Sequence, residues 1–341
     1  MFGFNRDLGI DLGTSNLLIF QKGRGIVVRE PSVVALAKAT GEPKAFGSDA
    51  HQMVGRTSSS IETVHPIQHG AIAHYTATEA MLRHYFGKIH GKTAFWKPRV
   101  VVSVPSNVTS VEKQAVLDAC RAAGAKEAFP IEEPMAAALG LGIGVGDPDG
   151  NLVIDLGGGT TDLAVTSLGG IAVSESIRIG GDNLDEAIHR YVKRQHNVLL
   201  GERTAEEIKC EIGSAFPLPT ELELEIRGRD MQSGMPKVVT VSSEEIRAAI
   251  AEPIGQIVEK VRAVLERTPP ELANDIARNG IWLSGGGALL KGLEARIEHE
   301  TGIMAHRSDD PLSCVANGAG RALEQIEALS ETHFAFVGDK A

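Results

Sequence analysis

Short apolar runs alternate along the chain with longer segments whose apolar residues recur at helical spacing. The runs at residues 8–11, 100–104 and 152–156 are typical of buried strands, whereas 78–86 and 109–123 are typical of amphipathic helices. Strands that alternate with helices in this way indicate an α/β fold.

The beginnings of two helices are marked by their residue types. Thr109 and Glu112 have the spacing of a capping box, and Val111 is assigned to the apolar face of the helix that follows. Another helix is expected to open at Glu133, with Pro134 in its first turn, where the missing N–H costs nothing. Further helices are predicted at 183–195, 205–212 and 242–266, and further strands at 17–20, 26–28, 32–36, 163–165, 221–227, 238–241 and, as the last strand, 280–284.

The chain repeats itself loosely, because a strand that ends in an aspartate and leads into a glycine turn occurs in each half. The first such turn follows Asp11 and the second follows Asp155, and each leads into a returning strand. Two similar halves that face each other would offer both turns to one ligand. We place the junction between the halves near residues 140–150, where glycines cluster.

Composition narrows the class of protein. A chain of 341 residues, 43% of them hydrophobic, predicts a globular protein of about two domains. The formal net charge of −10 argues against a basic nucleic-acid-binding surface, so we expect no nucleic-acid partner. No apolar run approaches the roughly 20 residues of a membrane-spanning helix, and residues 1–7 lack a signal-peptide pattern. We therefore exclude secreted disulfide scaffolds and integral membrane proteins.

Cysteines and histidines do not form a metal-ligand pattern. The sparse cysteines lie far apart and are typical of a protein of the reducing cytoplasm; they are Cys120, Cys210 and Cys314. His65, His69 and His74 are neighbours in sequence without ligand spacing, and we interpret them as surface or packing histidines.

The two glycine turns are candidate phosphate-binding loops. Glycine lets backbone N–H groups approach phosphate oxygens closely, and hydroxyl or amide side chains add donors. One such turn is also what a plain hairpin needs, but two matching turns that each follow an aspartate favour phosphate binding. The candidate residues are Gly13, Thr14, Ser15, Asn16, Gly157, Gly158, Gly159, Thr160 and Thr161.

Asp11 and Asp155 end apolar strands, where an unpaired carboxylate is costly. Each could cap its own turn by accepting backbone N–H groups. Together they could also hold hydrated Mg²⁺ against bound phosphates, because Mg²⁺ favours one or two carboxylates, water and substrate oxygens. The two interpretations are compatible.

Many segments resemble the MreB/Mbl family of bacterial actins, within the superfamily of actin, sugar kinases and heat-shock chaperones. The two glycine turns resemble the first and second phosphate loops of that superfamily. The likeness runs almost end to end and rests on residues 25–35, 53–57, 78–82, 131–138, 201–209, 227–230, 265–272 and 283–290. Residues 107–112 and 229–234 are nearer to Mbl sequences and 132–135 to MreB sequences, so the choice between the two stays open.

The resemblance implies an actin-like fold of the α/β class, in which two duplicated domains with four subdomains surround a nucleotide cleft. Domain I would comprise residues 1–140 and about 318–341, with a small subdomain at about 33–65. Domain II would comprise residues 141–317, with a small subdomain at about 182–245.

The resemblance also implies roles for individual residues, with ATP and Mg²⁺ as cofactors. Glu133, rather than its neighbour Glu132, would position and polarise the water that attacks the γ-phosphate, and Thr160 would assist. The alternative for Glu133 is a carboxylate stabilised by the N-terminus of its helix. The adenosine side would be formed by Glu206, Glu207, Ile208, Lys209, Gly285, Gly286, Gly287, Ala288 and Leu289. Glu206 and Lys209 could instead pair on a solvated helix face, and the glycines could form an ordinary turn.

Phe95 and Trp96 stand where members of this family often carry an apolar loop that enters the membrane. Cations without acids surround the pair in sequence, which suits an anionic lipid surface. The alternative is that both rings pack in the core where a strand begins.

By this resemblance the protein would assemble head to tail into filaments and slowly hydrolyse ATP, with cleft closure around the γ-phosphate favouring assembly. The filaments would lie in the cytoplasm, on the inner face of the cell membrane, and organise the cell-wall elongation machinery to maintain rod shape. A sugar kinase on the same fold is one alternative, although no sugar-site motif is found. A chaperone ATPase, which would carry a substrate-binding region after the ATPase domain, and a nucleotide-binding scaffold that does not hydrolyse are the others.

Overall fold

A computed structural model describes residues 7–91 and 97–324. The strands are β1 (Leu8–Leu12), β2 (Asn16–Gln21), β3 (Gly25–Pro31), β4 (Val34–Ala37), β5 (Pro43–Phe46), β6 (Ile61–Val64), β7 (Ile67–Gln68), β8 (Ala71–Ile72), β9 (Arg99–Val104), β10 (Glu127–Glu132), β11 (Asn151–Leu156), β12 (Thr161–Ser167), β13 (Gly170–Ile177), β14 (Val198–Leu199), β15 (Glu223–Asp230), β16 (Pro236–Ser242), β17 (Ile281–Ser284) and β18 (Ala305–Arg307).

The α-helices of the same residues are α1 (Gly47–His51), α2 (Tyr75–His90), α3 (Ser110–Ala123), α4 (Glu133–Leu141), α5 (Gly181–His196), α6 (Glu202–Ile212), α7 (Ser243–Arg267), α8 (Pro270–Asn279), α9 (Leu293–Thr301) and α10 (Cys314–Ala322). Short 3-10 helices cover Gly286–Leu289 and Pro311–Ser313.

The first five-stranded sheet has the order β10–β9–β1–β2–β3. β1 and β2 form an antiparallel hairpin in which Asp11 lies opposite Leu18, and β9 runs parallel to β1 on its other side. Leu8, Ile10 and Tyr85 belong to the buried core between this sheet and helices α2 and α3. The hairpin predicted around the first glycine turn is confirmed.

The second five-stranded sheet repeats this arrangement, with the order β13–β12–β11–β17–β18. β11 and β12 form an antiparallel hairpin in which Asp155 lies opposite Asp162, and β17 runs parallel to β11. Ile154, Leu163 and Ile257 belong to the buried core that this sheet shares with α7. The internal repeat predicted from the two aspartate–glycine turns is thus confirmed as two sheets of one topology.

Smaller sheets accompany the two large ones. β4 pairs antiparallel with β5 and β6, and β15 pairs antiparallel with β14 and β16. β15 and β16 confirm the strands predicted at 221–227 and 238–241 and their pairing. β7 and β8 form a separate short antiparallel pair that follows the first small sheet.

Helices α4 and α10 pack against each other and connect the two large sheets. α10 contacts β1 and β9 of the first sheet, whereas α4 contacts β11 and β12 of the second. The two helices approach closely because their contact residues are small: a methyl group on Gly318 would overlap the carbonyl oxygen of Ala136, and one on Gly140 would overlap the carbonyl oxygen of Cys314. The two sheets are therefore joined through a tightly packed helix pair.

The capping box predicted for α3 is confirmed. Thr109 Oγ1 accepts a hydrogen bond from the backbone N–H of Glu112 at 3.2 Å, and the Glu112 carboxylate accepts the N–H of Thr109 at 2.8 Å. The assignment of Val111 to the apolar face is wrong, since its exposed fraction is 77%. It lies in the first turn, ahead of the buried face that Val116 and Leu117 begin.

The strand predicted at 280–284 forms as β17, but the expectation that it is the last strand is wrong. β18 follows it and pairs with it in parallel. β18 has the three-residue sequence Ala-His-Arg, which contains no apolar run for a pattern to detect. Helices α8, α9 and α10 also lie outside the predicted elements.

Candidate functional site

A cavity of about 390 Å³, which we call the cleft, lies between the two hairpin turns and is lined by residues of both halves. The structure brings together there most of the residues that the sequence singles out for nucleotide, metal or catalytic roles. These are Asp11, Gly13, Thr14, Ser15, Asn16, Glu133, Asp155, Gly157, Gly158, Gly159, Thr160, Glu206, Lys209, Gly285, Gly286, Gly287 and Leu289.

The first glycine turn, between β1 and β2, is held by hydrogen bonds within the turn and to Ser32 and Gly70. The N–H of Gly13 donates to the carbonyl oxygen of Asn16 at 3.1 Å, and Ser32 Oγ donates to the carbonyl oxygen of Gly13 at 2.7 Å. Thr14 Oγ1 accepts the N–H of Gly70 at 3.1 Å. The turn is therefore fixed from both sides while its residues line the cleft.

The second glycine turn, between β11 and β12, is tied to the start of α5. The N–H groups of Gly181 and Asp182 donate to the carbonyl oxygens of Gly157 and Gly158 at 3.0 and 2.8 Å. A methyl group on Gly158 would overlap Ser15 of the first turn. Glycine is required here because the two turns approach each other this closely across the cleft.

Asp11 and Asp155 line the cleft at the ends of the first strands of the two hairpins. Ser103 Oγ donates to Asp11 Oδ1 at 3.3 Å, and Ser284 Oγ donates to Asp155 Oδ1. Burial, together with the negative charge of Asp155, raises the pKa of Asp11 to about 8. Burial also raises the pKa of Asp155 to about 7. The two carboxyl groups are thus close enough for the charge of one to raise the pKa of the other.

Glu133 faces the same end of the cleft from the first turn of α4, whose second residue is Pro134 as predicted. Burial and the neighbouring carboxylates, Asp162 first among them, raise the pKa of Glu133 well above its usual range. Asp162 Oδ1 accepts the N–H of Ser106 at 2.9 Å, and burial raises the pKa of Asp162 to about 6. Ionised Glu133 would be a stronger base than an exposed glutamate, and a cation bound beside these carboxyl groups would favour that ionised form.

These carboxylates fit a hydrated divalent cation. Burial favours their protonated forms, and a cation beside Asp11 and Asp155 would favour the ionised forms and lower the pKa of both. Within residues 7–91 and 97–324, no cluster of three or more His, Cys, Asp or Glu side chains could hold a metal ion alone. The remaining ligands would therefore be water and phosphate oxygens, which is the ligand set that Mg²⁺ prefers.

The cleft lining also includes residues predicted for the adenosine side. Lys209 Nζ donates to Asp185 Oδ2 at 2.7 Å and to the carbonyl oxygen of Gly181 at 3.1 Å, so its charge is paired beside the cleft. The turn at 285–287 lines the cleft as well, with a positive φ at Gly285. The apolar side chains of the lining are Leu18, Leu184, Leu289, Leu290, Leu312 and Val315.

Four predicted nucleotide-site residues lie elsewhere than in the cleft lining of the described chain. Thr161 Oγ1 donates to the carbonyl oxygen of Ile179 at 2.7 Å and is buried. Glu207 accepts from Arg203 on the exposed face of α6 at 3.0 Å. The remaining two, Ile208 and Ala288, are buried in the core of the second half. Each of the four lies next to residues that line the cleft.

Several residues that line the cleft were not singled out from the sequence. Gly181 begins α5 after a second glycine, and such a pair before a helix is a signal for an anion-binding N-terminus. Gly70 and Cys210 have no comparable signal, because they reach the cleft only through the tertiary packing of β7–β8 and α6.

The sequence also predicts a membrane-entering pair, in the loop before β9. Phe95 and Trp96 lie outside the residues that the structure describes, so their placement stays a prediction. Among the described helices, none combines the length and the apolar character needed to cross a lipid bilayer.

Paired hairpin sheets around a cleft lined by two glycine turns and paired aspartates define a protein of the actin-like class. The MreB5 structures of Spiroplasma citri, bound to ADP or to AMPPNP, superpose with a TM-score of 0.90 at 38% identity, and cover 95% of this chain and 98% or 97% of theirs.

Sequence comparison identifies the family. The model of the MreB/Mbl protein family matches residues 5–331. The cell shape-determining protein Mbl of Bacillus cereus is 48% identical over 96% of this chain and 98% of its own length. The cell shape-determining protein MreB of Escherichia coli K12 is 50% identical over 95% of each chain. The chain belongs to the MreB/Mbl family.

Proposed function

We propose that this chain is an ATP-dependent, actin-like filament protein that maintains cell shape. The observation that carries the proposal is the cleft, in which glycine turns from both halves and the Asp11–Asp155 pair surround one cavity. A ligand that carries both phosphate and apolar groups fits a cavity that is lined by glycine turns, carboxylates and apolar side chains. ATP has both, and the MreB5 structures of S. citri hold ADP or AMPPNP.

The residues of the cleft divide the work of phosphoryl transfer. The backbone N–H groups of the two turns and the hydroxyl of Thr160 bind the phosphates. Glu133 accepts a proton from the attacking water and orients it in line with the γ-phosphate. Mg²⁺, held through water by Asp11 and Asp155, would neutralise charge on the phosphate oxygens. The adenosine lies against Glu206, Lys209 and the 285–287 turn.

We assign two domains to the two sheets. Domain I comprises residues 1–140 and about 318–341, with a small subdomain at about 33–65, and domain II comprises 141–317, with a small subdomain at about 182–245. The γ-phosphate contacts both glycine turns and so favours the closed arrangement, which assembles head to tail. Slow hydrolysis removes that bridge and relaxes the filament.

The proposed cellular role is inferred from the relatives of this chain. Mbl of B. cereus and MreB of E. coli are both named cell shape-determining proteins. We propose that filaments of this chain lie in the cytoplasm on the inner face of the cell membrane and organise cell-wall elongation. Phe95 and Trp96 would anchor them, since an aromatic pair flanked by cations suits an anionic lipid surface.

A nucleotide-binding titration tests the site itself. Asp11→Asn and Asp155→Asn are expected to weaken the affinity for ATP in Mg²⁺ by about 10- to 100-fold, because each removes an outer ligand of the cation. Asp118→Asn, which alters an exposed aspartate of α3, is the matched control and should bind as the wild type does. Unchanged affinity in both cleft variants would contradict the proposed site.

Product analysis separates the alternatives on the same fold. Slow phosphate release that needs no added sugar supports the filament ATPase. ADP production that depends on a hexose would indicate a sugar kinase, and tight ATP binding without phosphate release would indicate a scaffold.

Vesicle flotation tests the membrane role. The double variant Phe95→Ala/Trp96→Ala should lose the fraction bound to anionic vesicles while it still sediments with ATP and Mg²⁺. Equal flotation of variant and wild type would remove this loop from the proposal.

A further inference from the structure

A second cavity of about 310 Å³ adjoins the cleft. Histidines of the first half and glutamates of the second half face each other across it. On one side, His51 ends α1 and His65 follows β6. On the other side, Glu202 begins α6 and Glu206 lies one turn further along it. The cavity shares Thr14, Ser15, Asn16 and Glu206 with the cleft, so it forms the mouth beside the phosphate turns.

Two histidine–glutamate pairs cross this mouth. His65 Nε2 lies 3.4 Å from Glu202 Oε1, and His51 Nε2 lies 4.0 Å from Glu206 Oε2. The side chains of His65 and Glu202 are 35% and 69% exposed, so solvent reaches both and protons exchange freely. Each pair joins a segment next to the first sheet to helix α6 next to the second.

The surroundings of His65 are strongly acidic. Besides Glu202, the charges of Asp182 and Glu206 face it, and the wall of the cavity also carries His51, His69, Asp185 and Arg203. Arg203 is paired with Glu207, and Asp185 with Lys209. The hydrogen bond to Glu202 raises the pKa of His65 against the opposing effect of burial, and the same bond lowers the pKa of Glu202.

We propose that the His65–Glu202 pair forms a proton-dependent clasp that holds the mouth of the nucleotide cleft closed, with His51 and Glu206 as a second contact across the same mouth. The proposal rests on the proposed nucleotide site and adds a regulation to it. When His65 is protonated, it forms an ion pair with Glu202 and the two halves attract each other. When His65 loses its proton, the attraction falls to that between a carboxylate and a neutral imidazole, and the mouth opens more readily.

The direction of the pH effect follows from the sign of the shift. A histidine whose pKa is raised by closure favours the closed state below that pKa and ceases to do so as the pH rises through it. We therefore expect nucleotide to leave more slowly at pH 6 than at pH 8. Because the pairs are partly exposed, the difference should be about two- to fivefold and should shrink at high salt.

The experiment measures the release of a fluorescent ATP analogue from the full-length protein in Mg²⁺ at pH 6 and pH 8. His65→Gln and Glu202→Gln each remove the charge of one partner, and both should release nucleotide faster than the wild type at pH 6 and lose the part of the pH dependence that the clasp adds. His65→Lys keeps a permanent cation and should release nucleotide slowly at both. The matched control is His196→Gln. It removes the pair of His196 with Glu245, whose atoms are 3.0 Å apart and which lies within one half.

Hydrogen exchange without nucleotide gives a second readout. Residues 51–65 and 202–206, corrected for intrinsic exchange, should be better protected at pH 6 than at pH 8 in the wild type, and equally protected in His65→Gln. If His65→Gln and Glu202→Gln keep the wild-type pH dependence in both readouts, the clasp is wrong. If the wild type binds no ATP, the proposed function fails, and the exchange data alone then decide whether the pairs close the mouth.

Discussion

Four carboxyl groups meet at the phosphate end of the cleft, and burial raises the pKa of each: Asp11, Glu133, Asp155 and Asp162. An acidic site would repel ATP unless a cation were bound with it. A bound cation would favour the ionised form of Glu133, which is then a better proton acceptor than an exposed glutamate. The roles of these carboxyl groups in cation binding and proton transfer thus depend on their buried surroundings and not on residue type alone.

Glu133→Gln tests the assignment of the catalytic base. The variant keeps the shape of the side chain and loses its basicity, so phosphate release should fall by about 100-fold or more while ATP binding is retained. The measurement is single-turnover phosphate release at saturating ATP. Glu132→Gln, which alters the buried neighbour outside the cleft lining, should keep most of the activity. The reverse order of effects would move the role to Glu132.

Glu221 gives a pH-dependent contribution to stability away from the site. Its carboxylate accepts hydrogen bonds from Arg247, at 2.7 Å for Nη2, and from Ser243, and these lower its pKa to about 2 from 4.5. A lowered pKa in the folded state means that the contribution is present above pH 4.5 and is lost as the pH falls toward 2.

The corresponding prediction concerns the denaturation midpoint in urea between pH 5 and pH 3. The midpoint of the wild type should fall more steeply with decreasing pH than that of Glu221→Gln. Glu225→Gln, an exposed site on β15, should follow the wild type. Parallel curves for wild type and Glu221→Gln would show that the Arg247 contact adds no pH-dependent stability.

At the scale of elements, the sequence predicts well where local signals agree. The hairpins of β1–β2 and β11–β12 and the capped start of α3 follow from apolar runs, glycine turns and the Thr109–Glu112 pair. α10 is different, because Gly318 and Gly320 interrupt its sequence and oppose a helix. Its helix is stabilised by packing against α4, which no local pattern reveals.

Gly318→Ala tests that packing. The added methyl would overlap the carbonyl oxygen of Ala136 across the helix pair, so the free energy of unfolding should fall by about 1–3 kcal/mol. Gly255→Ala in α7 is the matched control, because no atom outside its own helix lies within 4 Å of the new methyl. That substitution should stabilise by about 0.4–1 kcal/mol. Equal effects in chemical denaturation would contradict close packing of α4 on α10.

At the scale of the whole molecule, the site is only partly readable from the sequence. The glycine turns and their aspartates were predicted because chemistry and spacing coincide in short segments. Gly70, Leu312 and Val315 line the same cleft without any such signal, since tertiary packing alone carries them there. Glu207 and Ile208 show the opposite case. They belong to a segment that resembles the family's adenosine side, but Glu207 faces solvent and Ile208 lies in the core.

We infer that ATP in the cleft draws the two halves together and so permits assembly. Sedimentation and electron microscopy, with ATP and Mg²⁺, with ADP and Mg²⁺, or without nucleotide, test it most directly. Gly158→Val places a side chain where Ser15 approaches, whereas Gly170→Ala alters the exposed first residue of β13, where the new methyl would lie 3.9 Å from the carbonyl oxygen of Ser167. We predict ordered filaments with ATP for the wild type and Gly170→Ala, and none for Gly158→Val. Filaments that form equally without nucleotide, or in Gly158→Val, would contradict the account.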